Sequence, residues 1–161
     1  MKIDYQIGNM FENYHEPIIF LAHGCNAKGV MGSGVAAEVR DRYPWAYSKY
    51  RKKFQESGLA PGSVVEASKY VDDRTIYVFN CITQNLYGRD GRRYANYGAI
   101  QKCIRQIDFL VTTKSAFDTI KPEVRFPMIG ASLGGADWNI ISKIIERESE
   151  NFRPVVYDMT P

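Results

Sequence analysis

Apolar runs and helical patterns alternate from one end of the chain to the other. Ile18 through Ala22 is a continuous apolar run, short enough to be a strand covered on both faces. Val64-Val65 and Ile76-Tyr77-Val78-Phe79 predict two further strands, joined by a turn at Asp72-Asp73-Arg74. Phe126 through Ile129 and Pro154 through Tyr157 predict two more, and Ile3 to Ile7 is another candidate. Helical patterns fall between them. Val35, Val39 and Tyr43 share one face of a helix over Ser33 to Tyr43, and Pro44 both stops it and starts the next. That second helix runs to Glu56, with Gly58 beyond its end. Ile100, Ile104, Ile107 and Val111 mark a helix within Tyr94 to Ser115. Ile140, Ile141, Ile144 and Ile145 mark another over Asp137 to Ser149, with Asp137 as its N-cap. Strands interleaved with helices predict an α/β fold of three layers, α/β/α, around a mixed, mostly parallel central sheet.

Composition narrows the class without naming the chemistry. A chain of 161 residues with 45% hydrophobic content suits one domain that folds without a metal or disulfide staple. Cys25, Cys81 and Cys103 show neither CxxC spacing nor an even-numbered framework, which predicts free thiols in a reducing compartment. The start, Met1 to Tyr5, has no apolar signal core, and no stretch approaches the ~20 apolar residues of a membrane helix. The expected location is cytoplasmic, with no membrane partner. The net charge of +3 is modest, and the basic runs at Arg51-Lys52-Lys53 and Arg89 to Arg93 read as solvated faces. They lack the interleaved aromatics of a stacking platform, so no nucleic-acid partner is expected.

Two glycine-rich stretches stand where strand gives way to helix. The first is His23-Gly24-Cys25-Asn26-Ala27-Lys28-Gly29-Val30-Met31-Gly32-Ser33-Gly34-Val35-Ala36. The second is Ile129-Gly130-Ala131-Ser132-Leu133-Gly134-Gly135-Ala136-Asp137-Trp138. Glycines let the backbone approach a ligand, and a helix start turns free N–H groups toward the same place. Two such loops beyond the carboxyl ends of neighbouring strands would cradle a diphosphate. Neither loop matches a P-loop or a G-x-G-x-x-G dinucleotide pattern. His23, at the mouth of the first loop, is the candidate acid, base or nucleophile, whereas His15 lies in a polar stretch and reads as exposed. Cys25 reads as a small buried hydrophobe rather than a nucleophile.

At these loops the sequence resembles the macrodomain family. The signature is Leu21-Ala22-His23-Gly24-Cys25-Asn26, Gly32-Ser33-Gly34-Val35-Ala36 and Arg42-Tyr43-Pro44, with Pro127-Met128-Ile129-Gly130 and Val155-Val156-Tyr157 fitting the same template. The resemblance covers roughly Ile3 to Tyr157 and implies binding of ADP-ribose or ADP-ribose 1''-phosphate. It implies that Asn26 holds the distal ribose, and that Gly32, Ser33, Gly34 and Val35 close over ribose and diphosphate. Ser132, Leu133 and Gly134 would form the second diphosphate loop. His23 matches a histidine implicated in dephosphorylation.

Two positions depart from the family pattern. Asn9 follows Gly8 where the family carries an aspartate that receives the adenine amino group; its amide oxygen still accepts a hydrogen bond but carries no charge. Relatives that remove ADP-ribose from glutamate use a lysine and an aspartate where Gln84 and Gly134 stand here. The expected activity is therefore an ADP-ribose 1''-phosphate phosphatase acting as a monomer, independent of metal and cofactor, with His23→Ala lowering turnover about a hundredfold. An ADP-ribosyl hydrolase acting on a modified macromolecule and a non-catalytic ADP-ribose reader are the alternatives.

Overall fold

A computed structural model describes residues 1–88, 90, 92–115, 120–131 and 134–159. Six strands, β1 (Asp4–Ile7), β2 (Ile18–Asn26), β3 (Val64–Val71), β4 (Arg74–Gln84), β5 (Glu123–Phe126) and β6 (Arg153–Asp158), form one sheet in the order β1-β6-β5-β2-β4-β3. Every neighbouring pair is parallel except β3 with β4, a hairpin whose turn residues Asp72 and Asp73 both take positive φ. The mixed three-layer architecture is as the residue pattern predicts.

Helices α1 (Gly34–Arg42) and α2 (Pro44–Ser57) cover one face, where Leu21, Val39, Ala46 and Val78 meet. On the other face, α3 (Tyr97–Lys114) and α4 (Trp138–Glu148) bury Ile100, Ile104, Ile107, Ile141 and Ile145 against Phe79, Phe126 and Val156. Each such isoleucine contributes about 1.5–3 kcal/mol by leaving water. Asp137 caps α4 by accepting from Asn139 N at 2.9 Å, and Asn96 caps α3 by accepting from Ala99 N at 3.0 Å.

Two strands differ from the pattern-based expectation in ways that matter below. β2 does not stop at Ala22 but continues through His23, Gly24 and Cys25 to Asn26, because β4 offers a parallel partner along its whole length. β5 lies three residues upstream of the expected Phe126–Ile129 run. Its apolar continuation is instead a turn, with Ile129 N donating to Pro127 O at 2.7 Å.

The charged residue hidden inside β5 ties a loop to the sheet. Arg125 is 5% exposed; Nη1 donates to Met10 O and Glu12 O, Nη2 to Asn13 O, and Nε to Glu123. Its guanidinium also lies 5.0 Å from the Tyr14 ring centroid and 5.2 Å from that of Tyr157. A lysine ammonium cannot serve these separated carbonyls from one planar fork. Arg125→Lys is expected to cost about 2 kcal/mol in stability by stranding buried carbonyls; chemical denaturation measures it, and an unchanged midpoint would show that the fork contributes nothing.

Candidate ligand-binding site

The carboxyl ends of β2, β4, β5 and β6 open into a cleft of about 830 Å3, within the range of small-molecule sites. Asn26, Gly32, Ser33, Gly34 and Val35 line it, and so do Gly130, Ala131 and Gly134 from the second glycine stretch. The two loops that the sequence separates by about a hundred residues thus meet across one opening. Ser132 and Leu133 lie outside the described residues. Thr83 and Gln84 line the β4 side, Tyr87 and Gly88 follow them, and Tyr157, Asp158 and Met159 close the β6 side.

The first loop is held by its carbonyls. Tyr50, fully buried, brings its hydroxyl within 2.7 Å of Asn26 O and 3.0 Å of Asn26 Oδ1. Arg51 donates to Gly29 O at 3.0 Å, Arg40 to Met31 O at 2.8 Å, and Asn26 Nδ2 to Val30 O at 2.8 Å. Asn26 Oδ1 also accepts from Lys28 N at 2.9 Å and Val30 N at 3.4 Å. The Asn26 oxygen is thereby filled, and its amide nitrogen carries one hydrogen beyond the one given to Val30 O.

At the loop's end Ser33 is the N-cap of α1, in extended conformation, and its side chain makes no capping bond. Gly34, Val35 and Ala36 are first-turn residues whose N–H groups have no intrahelical acceptor, and all three line the cleft. Gly34 has φ +62°, a conformation that strains a side-chain-bearing residue. On the opposite wall, Gly134 accepts from Tyr94 N at 2.7 Å and Ala95 N at 3.0 Å, and a Cβ there would stand 2.5 Å from Gly130 O. Neutral donors facing a concave wall, with a helix dipole behind them, suit an anion.

His23 is not brought into this cleft. The extended β2 puts it in register with Asn80 of β4, beneath α2, at 1% exposure, and it is absent from the cleft lining. Asn80 donates through Nδ2 to Ala46 O at 3.3 Å, so its Oδ1 accepts from His23 Nε2 at 2.6 Å. Burial depresses the His23 pKa from 6.5 to about 4, against the opposing pull of the Asn80 bond. The ring is neutral in this arrangement and lies below the cleft, outside its lining, whereas the sequence reading expected it at the mouth. Cys25, beside it, is buried with its thiol pKa pushed up by desolvation, as a small hydrophobe would be.

Asn9 is also diverted. Its Oδ1 accepts from Phe11 N at 2.9 Å, closing a local turn that Arg125 pulls toward β5, and it does not line the cleft. The β6 end supplies Tyr157, Asp158 and Met159 there instead, which the sequence reading did not single out as ligand contacts. Their signal was positional, since residues just beyond the carboxyl end of a parallel strand face the ligand crevice. Gln84 lines the β4 side with Nε2 donating to Leu86 O at 2.7 Å. Among the described residues no three His, Cys, Asp or Glu come together as a metal site, and no helix is long and apolar enough to cross a membrane.

Fold and cleft define an α/β/α domain whose opening is lined by the first-turn residues of α1 and the second glycine stretch. The Macro domain family model matches residues 22–145, and the chain belongs to that family. It is 30% identical over 142 residues to an uncharacterised 17.5 kDa protein from the tk-vs intergenic region of Enterobacteria phage T4, covering 88% of this chain and 86% of that one. It is 27% identical over 154 residues to an ADP-ribose 1''-phosphate phosphatase of Scheffersomyces stipitis, covering 86% and 88%. The solved Thermosipho africanus DarTG in complex with ADP-ribose superposes with a TM-score of 0.72 at 20% identity, over 98% of this chain and 43% of that longer one.

The buried imidazole carries a pH consequence. A histidine that titrates at 6.5 when unfolded and about 4 when folded leaves stability intact above pH 6.5. Stability then falls as pH drops toward 4, because the unfolded chain takes the proton first; the total is roughly 3 kcal/mol. The Glu148 carboxylate, held down to about 2 by its bond to Arg105, acts in a lower window, from 4.5 downward. His23→Gln, whose amide still donates to Asn80, is expected to flatten the melting-temperature profile between pH 6.5 and 4. An unaltered slope in that window would mean that His23 is not the buried titrating group.

Proposed function

We propose that this macrodomain binds ADP-ribose in the cleft and hydrolyses the terminal phosphate of ADP-ribose 1''-phosphate. The observation that carries the reading is that Asn26, Ser33 and the first-turn residues of α1, all sources of neutral donors, line one cleft. The phosphatase name of the Scheffersomyces stipitis relative and the ADP-ribose of the Thermosipho africanus complex support it. Water attacks phosphorus, the bond from phosphorus to the C1'' oxygen breaks, and the proton from water passes to the released groups. Preorganised N–H groups stabilise the charge on the phosphoryl oxygens as that bond parts. His23 supports the strand beneath the cleft and takes no part at phosphorus.

Asn26→Asp keeps the acceptor oxygen for Lys28, Val30 and Tyr50 but removes the amide hydrogens and sets a charge against the anion. Titration calorimetry is expected to show ADP-ribose affinity falling about tenfold or more. Phosphate release, measured on the wild type and on His23→Gln, is expected to persist in both within a few-fold. Loss of release in His23→Gln with ADP-ribose binding intact would return the histidine to the chemistry. A second reading, a non-catalytic ADP-ribose reader, draws on the cleft's composition. Its only titratable lining residues among those described are Cys25, Tyr87, Tyr157 and Asp158, and the Cys25 thiol is held protonated by burial. Binding without phosphate release from the wild type would select it.

A further inference from the structure

The pairing of β2 with β4 is regular from Ile18 opposite Thr75 to Cys25 opposite Ile82, and then skips one residue, placing Asn26 opposite Gln84. The residue skipped is Thr83. Extra residues of this kind re-aim side chains and are over-represented beside functional sites. Thr83 lines the cleft yet is 1% exposed, and its hydroxyl oxygen is buried with no hydrogen-bond partner. Its backbone carbonyl accepts from Asn96 N at 2.8 Å. Gly24 flanks the hydroxyl: a Cβ on Gly24 would stand 2.9 Å from Thr83 Oγ1, so a side chain there would crowd the oxygen. A buried hydroxyl without a partner costs about 1–3 kcal/mol, so the position invites a group that satisfies it.

Strand order says which part of a ligand comes there. β6 and β4 lie on opposite sides of β5 and β2, whose loops carry the anion-binding amides. Tyr157 and Met159 give the β6 side a ring and a thioether, surfaces suited to the flat face of a base. A ligand with its base at β6 and its diphosphate over the central loops puts its far sugar at β4. We infer that Thr83 is a substrate-contacting residue whose hydroxyl hydrogen-bonds the distal ribose and so sets the cleft's preference for ADP-ribose over ADP. The inference rests on the ADP-ribose reading above.

Thr83→Val exchanges the hydroxyl for a methyl of the same shape, and Thr83→Ser keeps the hydroxyl. Because Oγ1 has no partner within the protein, Thr83→Val is expected to melt at or above the wild-type temperature. Its affinity for ADP-ribose is expected to fall about tenfold while its affinity for ADP, which lacks the far sugar, stays unchanged. Thr83→Ser is expected to bind both ligands as the wild type does. Unchanged ADP-ribose affinity in Thr83→Val overturns the inference and leaves the ADP-ribose reading standing. Equal weakening toward ADP and ADP-ribose overturns the assignment to the sugar, and a clear fall in melting temperature shows a structural hydroxyl instead. Failure of the wild type itself to bind ADP-ribose overturns both readings together.

Discussion

The nine-residue parallel ladder between β2 and β4 is the constraint on which the site depends. Had β2 ended with its apolar run at Ala22, His23, Gly24, Cys25 and Asn26 would be loop residues exposed at the cleft mouth. Because β4 continues to Gln84, those four residues are instead pleated into the sheet. Alternation then sends His23 beneath α2, leaves the buried Cys25 beside it at the cleft's edge, and carries Asn26 to the strand's last position, at the cleft wall. The same ladder ends in the irregularity that leaves Thr83 without an opposite number. One pairing decides which polar groups reach the ligand crevice and which are sealed below it.

Sealing His23 has a structural return. Its bond to Asn80, and Asn80's bond to Ala46 O, form a polar chain running from β2 through β4 into the first turns of α2. That helix in turn presents Tyr50 and Arg51 to the first loop. The imidazole therefore acts on the cleft at one remove, by fixing the helix that fixes the loop. A partnered polar chain of this sort specifies one arrangement of sheet and helix, where an apolar contact would tolerate sliding. The depressed pKa follows from the same burial and keeps the ring neutral near pH 7.

Much of this was readable in advance, for identifiable reasons. The four isoleucines and Asp137 gave α4 and its cap because periodicity and capping are local properties. The two glycine stretches gave the walls of the cleft because glycines mark close backbone approach. What was illegible depended on partners distant in sequence. Nothing near His23 announces Asn80, 57 residues later, and a polar strand end reads as a loop until its neighbour is known. Arg125 hid β5 in the same way, since a charge in a strand is intelligible only once Met10, Glu12 and Asn13 supply their carbonyls. Asn9 looked available because its commitment to Phe11 N is a matter of geometry. Thr83 carried no signal at all, because a strand irregularity is a property of two strands together.

The basic residues around the first loop show how a cleft with no cation among its described lining residues comes to suit an anion. Arg40 and Arg51 are not aimed at a ligand; they grip Met31 O and Gly29 O, while Tyr50 and Asn26 take Asn26 O and Val30 O. With its carbonyls drawn back in this way, the loop offers the cleft little acceptor surface to repel a phosphate. The donors that remain are backbone amides, a serine hydroxyl and one amide hydrogen, all short-ranged and fixed in direction. A cluster of lysines would attract any anion from a distance and screen readily with salt. Fixed amides reward only a ligand whose phosphates fall at the right spacing, and because they are immobile beforehand, little ordering is lost when it binds. The arginines thus contribute selectivity by holding the backbone, and the charge they carry stays outside the site they shape.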